Sequence, residues 1–386
     1  MSKPKMTLQA PSLLIKGPYQ GITGYDHYVR EFTKGLVNQG ANVQLFDFPE
    51  WSSQKHPDYQ HAYWSGLVNH SVNAKSIIHF VMPAQVEIAK DKLNLNFTMF
   101  EADRIPSTWL EHNLQHDLVI LPTLSSKESW ITSGYPEERI RLCPLGINHE
   151  LFQGETNALL LKDDEGRSVS DYAVRILNIS DLTPRKNLIS MLRVWIKSTD
   201  KNDGAILILK INYPWQRWIY KFFLDIKWME KTLGKSRKQA APILFLINQK
   251  FSDSQMRMLY AASTHYWSMS FGEGWDLCMM EAGAAGLHLI APSHSAYPTY
   301  LNSNIADMMT AQPVPAKFFW AHGLHKLYAN ANWWKPDESV AGDYIWTIVK
   351  EGRKNKYNAA KKHIIDNFNW DKASCKLIDI INEVEG

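Results

Sequence analysis

The strongest constraint on this chain is an alternation that begins twice. Short apolar runs are separated by longer stretches with helical spacing, and the series restarts near residue 173. In the first series the expected strands are Ser12 to Ile15, Val43 to Phe46, Ser76 to Val81, Phe97 to Phe100 and Leu118 to Leu121. A glycine-containing loop, Gly17 to Gly24, follows the first of them, and a helical pattern runs from about Tyr25 to Asn38, ending near Gly40. Strand, loop, helix, strand is the βαβ unit that builds parallel sheets. The second series offers Ala173 to Ile179, Ala205 to Ile211, Ile243 to Ile247 and His288 to Ala291. The polar residues 153–170 read as a connector or an exposed hairpin between the two series. The expectation is an α/β chain with two Rossmann-like parallel-sheet domains facing a central cleft, with a ligand at the carboxyl ends of the strands. A length of 386 residues accommodates two domains at about 150 residues each.

Composition removes several function classes. The chain is 45% hydrophobic and 21% charged, which suits a folded protein rather than a disordered one. A net charge of +3 is too even to indicate nucleic acid as a partner. Cys143, Cys278 and Cys375 are scattered, with no CxxC, so neither a disulfide framework nor a cysteine metal site is expected. No run approaches the length of a membrane span, and MSKPKMTLQAPSLLIKG has no signal-peptide core. The expected location is the cytoplasm.

One stretch, Trp215 to Lys238, has two readings. Trp215, Trp218, Ile219, Phe222, Ile226 and Met229 recur at helical spacing, and basic residues outnumber Asp225 and Glu230. It is either a core-packing helix with a solvated basic face or a basic amphipathic helix lying on an anionic membrane surface. The second reading leaves open a peripheral contact with the cytoplasmic face of a membrane.

The most informative segment is Ser270-Phe-Gly-Glu-Gly-Trp-Asp-Leu-Cys-Met-Met-Glu-Ala-Gly-Ala-Ala-Gly286. Helical spacing begins at Asp276, so Glu273 belongs to the preceding loop and Glu281 to the helix. Unpaired amides at the helix start, near Asp276 to Met279, can hold a phosphate. Glu281 lies roughly 7.5 Å further along the axis, where its carboxylate can accept from a ribose diol. Glu273, on the other side of the phosphates, can grip sugar hydroxyls, and Gly272 and Gly274 let the backbone approach closely. Read this way, the segment describes a nucleoside-diphosphate sugar. Lys210, after an apolar run, either points toward the same ligand or is a solvated strand end.

The pattern SxxEGxxLxxxEAxAxG resembles the donor-site motif of retaining GT-B glycosyltransferases of family 4. Asn178-Ile-Ser-Asp-Leu-Thr-Pro-Arg-Lys-Asn187 is similar to that family's basic loop, Phe97 to Pro106, Asp117 to Pro122 and Pro144 to Asn148 to its N-terminal half, and Phe368-Asn-Trp370 to the start of its last helix. The resemblance runs from about Leu13 to Trp370 and implies domains at 1–168 and 169–355, with 356–386 returning to the first. It implies a hexose-type donor held by Gly24, Arg185, Lys186, Lys210, Gly272, Glu273, Gly274, Trp275, Asp276, Leu277 and Glu281. Arg185 and Lys186 would neutralise the departing diphosphate and Glu273 would orient the sugar, with no metal or other cofactor; no Asp-x-Asp occurs. His79 is the candidate nearest the family's histidine beside the scissile bond. Glu101 and Arg104 either touch the acceptor, a glycan, lipid or small molecule, or form a structural ion pair. Three positions depart from the family: Ser180 where an Arg is common, Leu287 where a Pro is usual, and Asp276 where a Gly is usual. A carboxylate at Asp276 suits the site only if it caps the helix with its side chain turned away. Two rivals remain, a nucleotide-sugar epimerase on the same scaffold and a non-catalytic nucleotide- or sugar-binding protein. A nicotinamide dehydrogenase is disfavoured because GxGxxG is absent after the first strand.

Overall fold

The computed structural model describes residues 10–48, 51, 54–213, 216–316, 324–352 and 357–386. Trp215, part of the basic amphipathic stretch, lies outside the described residues. The chain divides into two compact units, one holding residues up to 100, 104–148 and 367–386, the other holding 101–103 and 149–366.

The first unit is built on β1 (Ser12–Lys16), β2 (Asn42–Phe46), β3 (Ser76–His79), β4 (Leu93–Phe97), β5 (Leu118–Leu121) and β6 (Ile140–Leu142), in the order β2-β1-β3-β4-β5-β6 and parallel throughout. Leu13, Ile15, Ile78, Leu95 and Ile120 are fully buried, as strands covered on both faces require. The expected strand at Phe97 to Phe100 is corrected: the strand is Leu93–Phe97 and stops where that run begins. Asn94 and Asn96 hide it, because amides are poor strand signals. Asn94 is held by the Ala89 and Lys92 backbone of the preceding loop, and Asn96 by distant partners, donating to the carbonyls of His79 (2.9 Å) and Val81 (3.0 Å) and accepting from Asn113 (2.9 Å). The last helix, Trp370–Glu385, is capped by Asn369 and packs against the helix Gly24–Asn38. Gly146 permits the approach of its first residues, since a Cβ there would lie 2.4 Å from the Asn369 carbonyl carbon.

The second unit holds β7 (Val174–Asp181), β8 (Ala205–Asn212), β9 (Ile243–Ile247), β10 (His265–Trp267), β11 (His288–Pro292) and β12 (Ala306–Met309), again all parallel, in the order β12-β11-β10-β7-β8-β9. A separate antiparallel pair joins β13 (Ala311–Pro315) to β14 (Asn332–Pro336). β8 is buried from Ala205 to Ile211, which is why it reads as an aliphatic run broken only by Lys210. The helices Leu188–Ser198, Gln216–Leu233 and Glu338–Glu351 pack Trp195, Phe222 and Ile345 into its core. The connector at 153–170 contains a tight turn, closed by an antiparallel bridge between Lys162 and Ser168. Among the described residues no helix is long and apolar enough to cross a membrane.

Candidate functional site

In the second unit the strand order reverses between β7 and β10, because β8 and β9 extend the sheet one way from β7 and β10 to β12 the other. At such a switch point the loops leaving two neighbouring strands diverge and open a crevice outside their carboxyl ends. The loop after β7 carries Arg185 and Lys186, and the loop after β10 carries Gly272 to Asp276. Their juxtaposition follows from topology, and local bonds then lock it. Phe271 N–H donates to the Arg185 carbonyl at 2.8 Å, and Asn187, in the left-handed region at φ 54°, donates to the Met269 carbonyl at 3.0 Å.

Glu273 is the centre of the cluster. Its Oε1 lies 2.7 Å from Lys186 Nζ, and its Oε2 lies 2.9 Å from Arg185 Nη1. The same Nη1 donates to the Gly272 carbonyl at 2.5 Å, and Nη2 lies 3.5 Å from Glu101, which also accepts from the Tyr328 hydroxyl at 2.9 Å. The Glu273 side chain is only 5% exposed while both cations are 15% exposed, so the anion is sealed and the cations still reach solvent. Burial alone would push the Glu273 carboxyl up; Lys186 and Arg185 outweigh it and hold it at about 2. Burial would likewise lower the Lys186 ammonium, but the Glu273 and Asp276 carboxylates prevail and raise it.

Beyond this cluster begins the helix Leu277–Ala284. Asp276 caps it from the left-handed region (φ 66°), its Oδ1 accepting from Met279 N–H at 3.2 Å and its Oδ2 from the Tyr297 hydroxyl at 2.9 Å. Of the two conditions expected for a carboxylate at this position, the capping role is observed, while the side chain stays close enough to Lys186 and Glu273 to feel both charges. The carboxyl is raised to about 6 by burial, with Glu273 adding and Lys186 opposing. Capping takes the Met279 amide; the amides of Leu277 and Cys278, half-buried at the helix start, precede it. Glu281 is half-buried in the same helix and accepts from the Tyr260 hydroxyl at 2.7 Å.

The other expected residues divide. Gly272 lies in the cluster, but its glycine serves the protein: a Cβ would stand 2.1 Å from the Glu101 carbonyl oxygen. Gly274 is buried beside it. Trp275 turns inward, its indole N–H donating to Met280 Sδ at 2.6 Å and its ring 5.2 Å from that of Tyr300. Lys210 lies within β8 and is buried, with Nζ 3.4 Å from Asn212 Oδ1; burial lowers its pKa. It is not a solvated strand end. His79, Gly24 and Arg104 belong to the first unit. His79 is fully buried, lies 3.3 Å from Asn94 Oδ1 and is lowered to about 4 by burial, the properties of a core histidine. Gly24 opens its helix with nothing within 4 Å of a Cβ, and the neighbouring Gly21 amide is taken by Asp26 at 2.7 Å. Arg104 is exposed.

Sequence reasoning missed the layer that holds Glu273 in place. Ser295 accepts from the Glu273 amide at 3.0 Å, and His294, buried, lies 3.0 Å from Ser295 Oγ and 3.1 Å from the Ser270 carbonyl. Both follow β11, beyond the end of the motif at Gly286, and Ser-His-Ser after a strand carries no signal by itself.

No protein-family pattern and no curated protein matches the sequence. Several solved structures match the fold over nearly the whole chain. Alr3699/HepE from Anabaena, solved with UDP and glucose, aligns with a TM-score of 0.66 and 13% identity over 97% of this chain and 100% of its own. Sucrose-phosphate synthase from Thermosynechococcus elongatus gives 0.64 and 12% over 97% and 99%. An α,α-trehalose-phosphate synthase (UDP-forming) from Burkholderia vietnamiensis gives 0.64 and 9% over 97% and 99%. The chain has the GT-B fold of these glycosyltransferases.

Proposed function

We propose that the chain is a retaining glycosyltransferase that takes a nucleoside-diphosphate sugar and passes its hexose to a hydroxyl acceptor. One observation carries this reading: solvent-reaching Arg185 and Lys186 stand on Glu273 at the β7/β10 switch point, beside the start of a helix that carries Glu281. The diphosphate takes the Leu277 and Cys278 amides and the two cations, the ribose diol reaches Glu281, and the sugar hydroxyls meet Glu273. The complex of HepE with UDP-glucose, on the same fold, supports a donor of this class.

In the reaction the bond from the sugar C1 to the diphosphate oxygen breaks. The acceptor oxygen bonds C1 on the face the diphosphate leaves, and the acceptor proton passes to the departing phosphate oxygen. Arg185, Lys186 and the helix start offset the charge that builds on the diphosphate. These fixed cations do in this reading what a metal ion would otherwise do.

The test is incubation with UDP-, GDP- and ADP-hexoses, with and without a panel of hydroxyl acceptors. Sustained release of nucleoside diphosphate only with an acceptor, and a product that keeps the donor's anomeric configuration, is the expected result. An altered sugar still attached to its diphosphate would instead identify an epimerase. Donor binding without turnover would identify a binding protein, and an inverted product would overturn retention.

A further inference from the structure

The helix Gln216–Leu233 has two apolar faces, and only one is used by the fold. Ile219, Phe222, Ile226 and Met229 are buried in the core of the second unit. On the opposite side Tyr220 is 68%, Leu224 45% and Trp228 68% exposed. Turning about 100° per residue, the outward face reads Lys227, Tyr220, Lys231, Leu224, Arg217, Trp228, Lys221 over an arc of roughly 120°. Cation and apolar side chain alternate, and no carboxylate falls within the arc. The helix's two acids flank it and are occupied: Asp225 lies 2.5 Å from Lys221, and Glu230 lies 4.0 Å from Arg237 and accepts the Arg237 amide at 2.7 Å.

We propose that this face docks on an anionic lipid bilayer, lying in its headgroup layer. The alternation decides the partner. Aromatic and leucine side chains enter the acyl boundary while the lysine and arginine heads stay at the phosphates, reached by flexible apolar stems. A face made only of cations would bind any polyanion, and one made only of apolar groups would suit a protein partner. Spacing of three large apolar residues over roughly 12 Å of helix gives a shallow contact, so binding is reversible and salt-sensitive. The proposal concerns a surface outside the Arg185–Glu273 cluster and does not depend on the donor chemistry.

The test is flotation of the full chain with phosphatidylcholine vesicles, with and without phosphatidylglycerol. The wild type should float with the anionic vesicles, poorly with the neutral ones, and be released by salt. Tyr220→Ser/Leu224→Ser/Trp228→Ser and, separately, Lys227→Glu/Lys231→Glu should each reduce partitioning at least about tenfold. Unchanged melting temperatures would show that both variants fold. Failure of the wild type to float with anionic vesicles would overturn the proposal, as would binding that neither variant weakens. So would a concentration-dependent dimer, abolished by the triple substitution, in place of vesicle binding.

Discussion

Asp276 is the residue at which two demands conflict. It caps the helix Leu277–Ala284, yet its ionised form sits beside Glu273 and beside the amides assigned to the diphosphate. Its folded pKa of about 6 stands above the ordinary 3.8. A carboxyl raised in this way favours folding below its unfolded pKa, and that contribution is lost as pH rises through about 6. Asparagine caps as well as aspartate. Asp276→Asn should therefore raise the melting temperature at pH 8, by an amount corresponding to about 1–3 kcal/mol, with the difference vanishing near pH 4. It should also tighten nucleoside-diphosphate binding at pH 8 in calorimetry. Glu273 has the opposite sign. Its carboxyl is held at about 2 against an ordinary 4.5, so its stabilisation is complete above 4.5 and fades as acid brings the pH toward 2. Replacing it leaves two cations facing each other in a largely buried site. Glu273→Ala should cost about 3 kcal/mol in denaturant unfolding at pH 7. A cost that is the same at pH 2.5 and pH 7 would show that the ion pairs are not its source.

At the scale of elements, the close approach of residues 101–103 to the motif loop is what Gly272 protects. A Cβ at that position would stand 2.1 Å from a backbone oxygen, which cannot rotate away. Gly272→Ala should cost at least about 2 kcal/mol and displace Glu273 from its cations. An unaltered melting temperature would contradict the packing described. The elements legible in the sequence are those whose own residues decide them. β1, β5 and β9 are dominated by Leu, Ile and Val, β2 alternates apolar with polar residues, and Ile243–Ile247 coincides with its expected bounds. β4 and β12 were not legible because Asn96 and Asp307 interrupt their apolar pattern and find partners elsewhere in the fold, and β10 because it is only three residues long. Asn96 donates across to the His79 carbonyl in β3, and Asp307 in β12 is met by His288 at 2.7 Å. The candidate site divides the same way. Glu273, Arg185 and Lys186 are readable from glycine framing and a basic loop. Their mutual pairing, and the Ser295–His294 support beneath it, arise from three strands brought together by topology, which no local pattern encodes.

At the scale of the molecule, the parallel six-stranded sheet of the second unit places the loops after β7 and β10 at one switch point. If a nucleoside diphosphate fills that crevice, amide exchange should slow first in residues 182–187 and 268–279. Protection confined to other loops would place the ligand elsewhere. In the proposed function a nucleoside diphosphate is held by Arg185 and Lys186 beside the start of the helix that carries Glu281. Calorimetric titration of UDP, GDP and ADP into the wild type, Lys186→Ala and Glu281→Ala tests this most directly. One of the three nucleotides should bind, and each substitution should weaken it at least about tenfold. Full affinity in both variants, or no binding of any nucleoside diphosphate to the wild type, would contradict it.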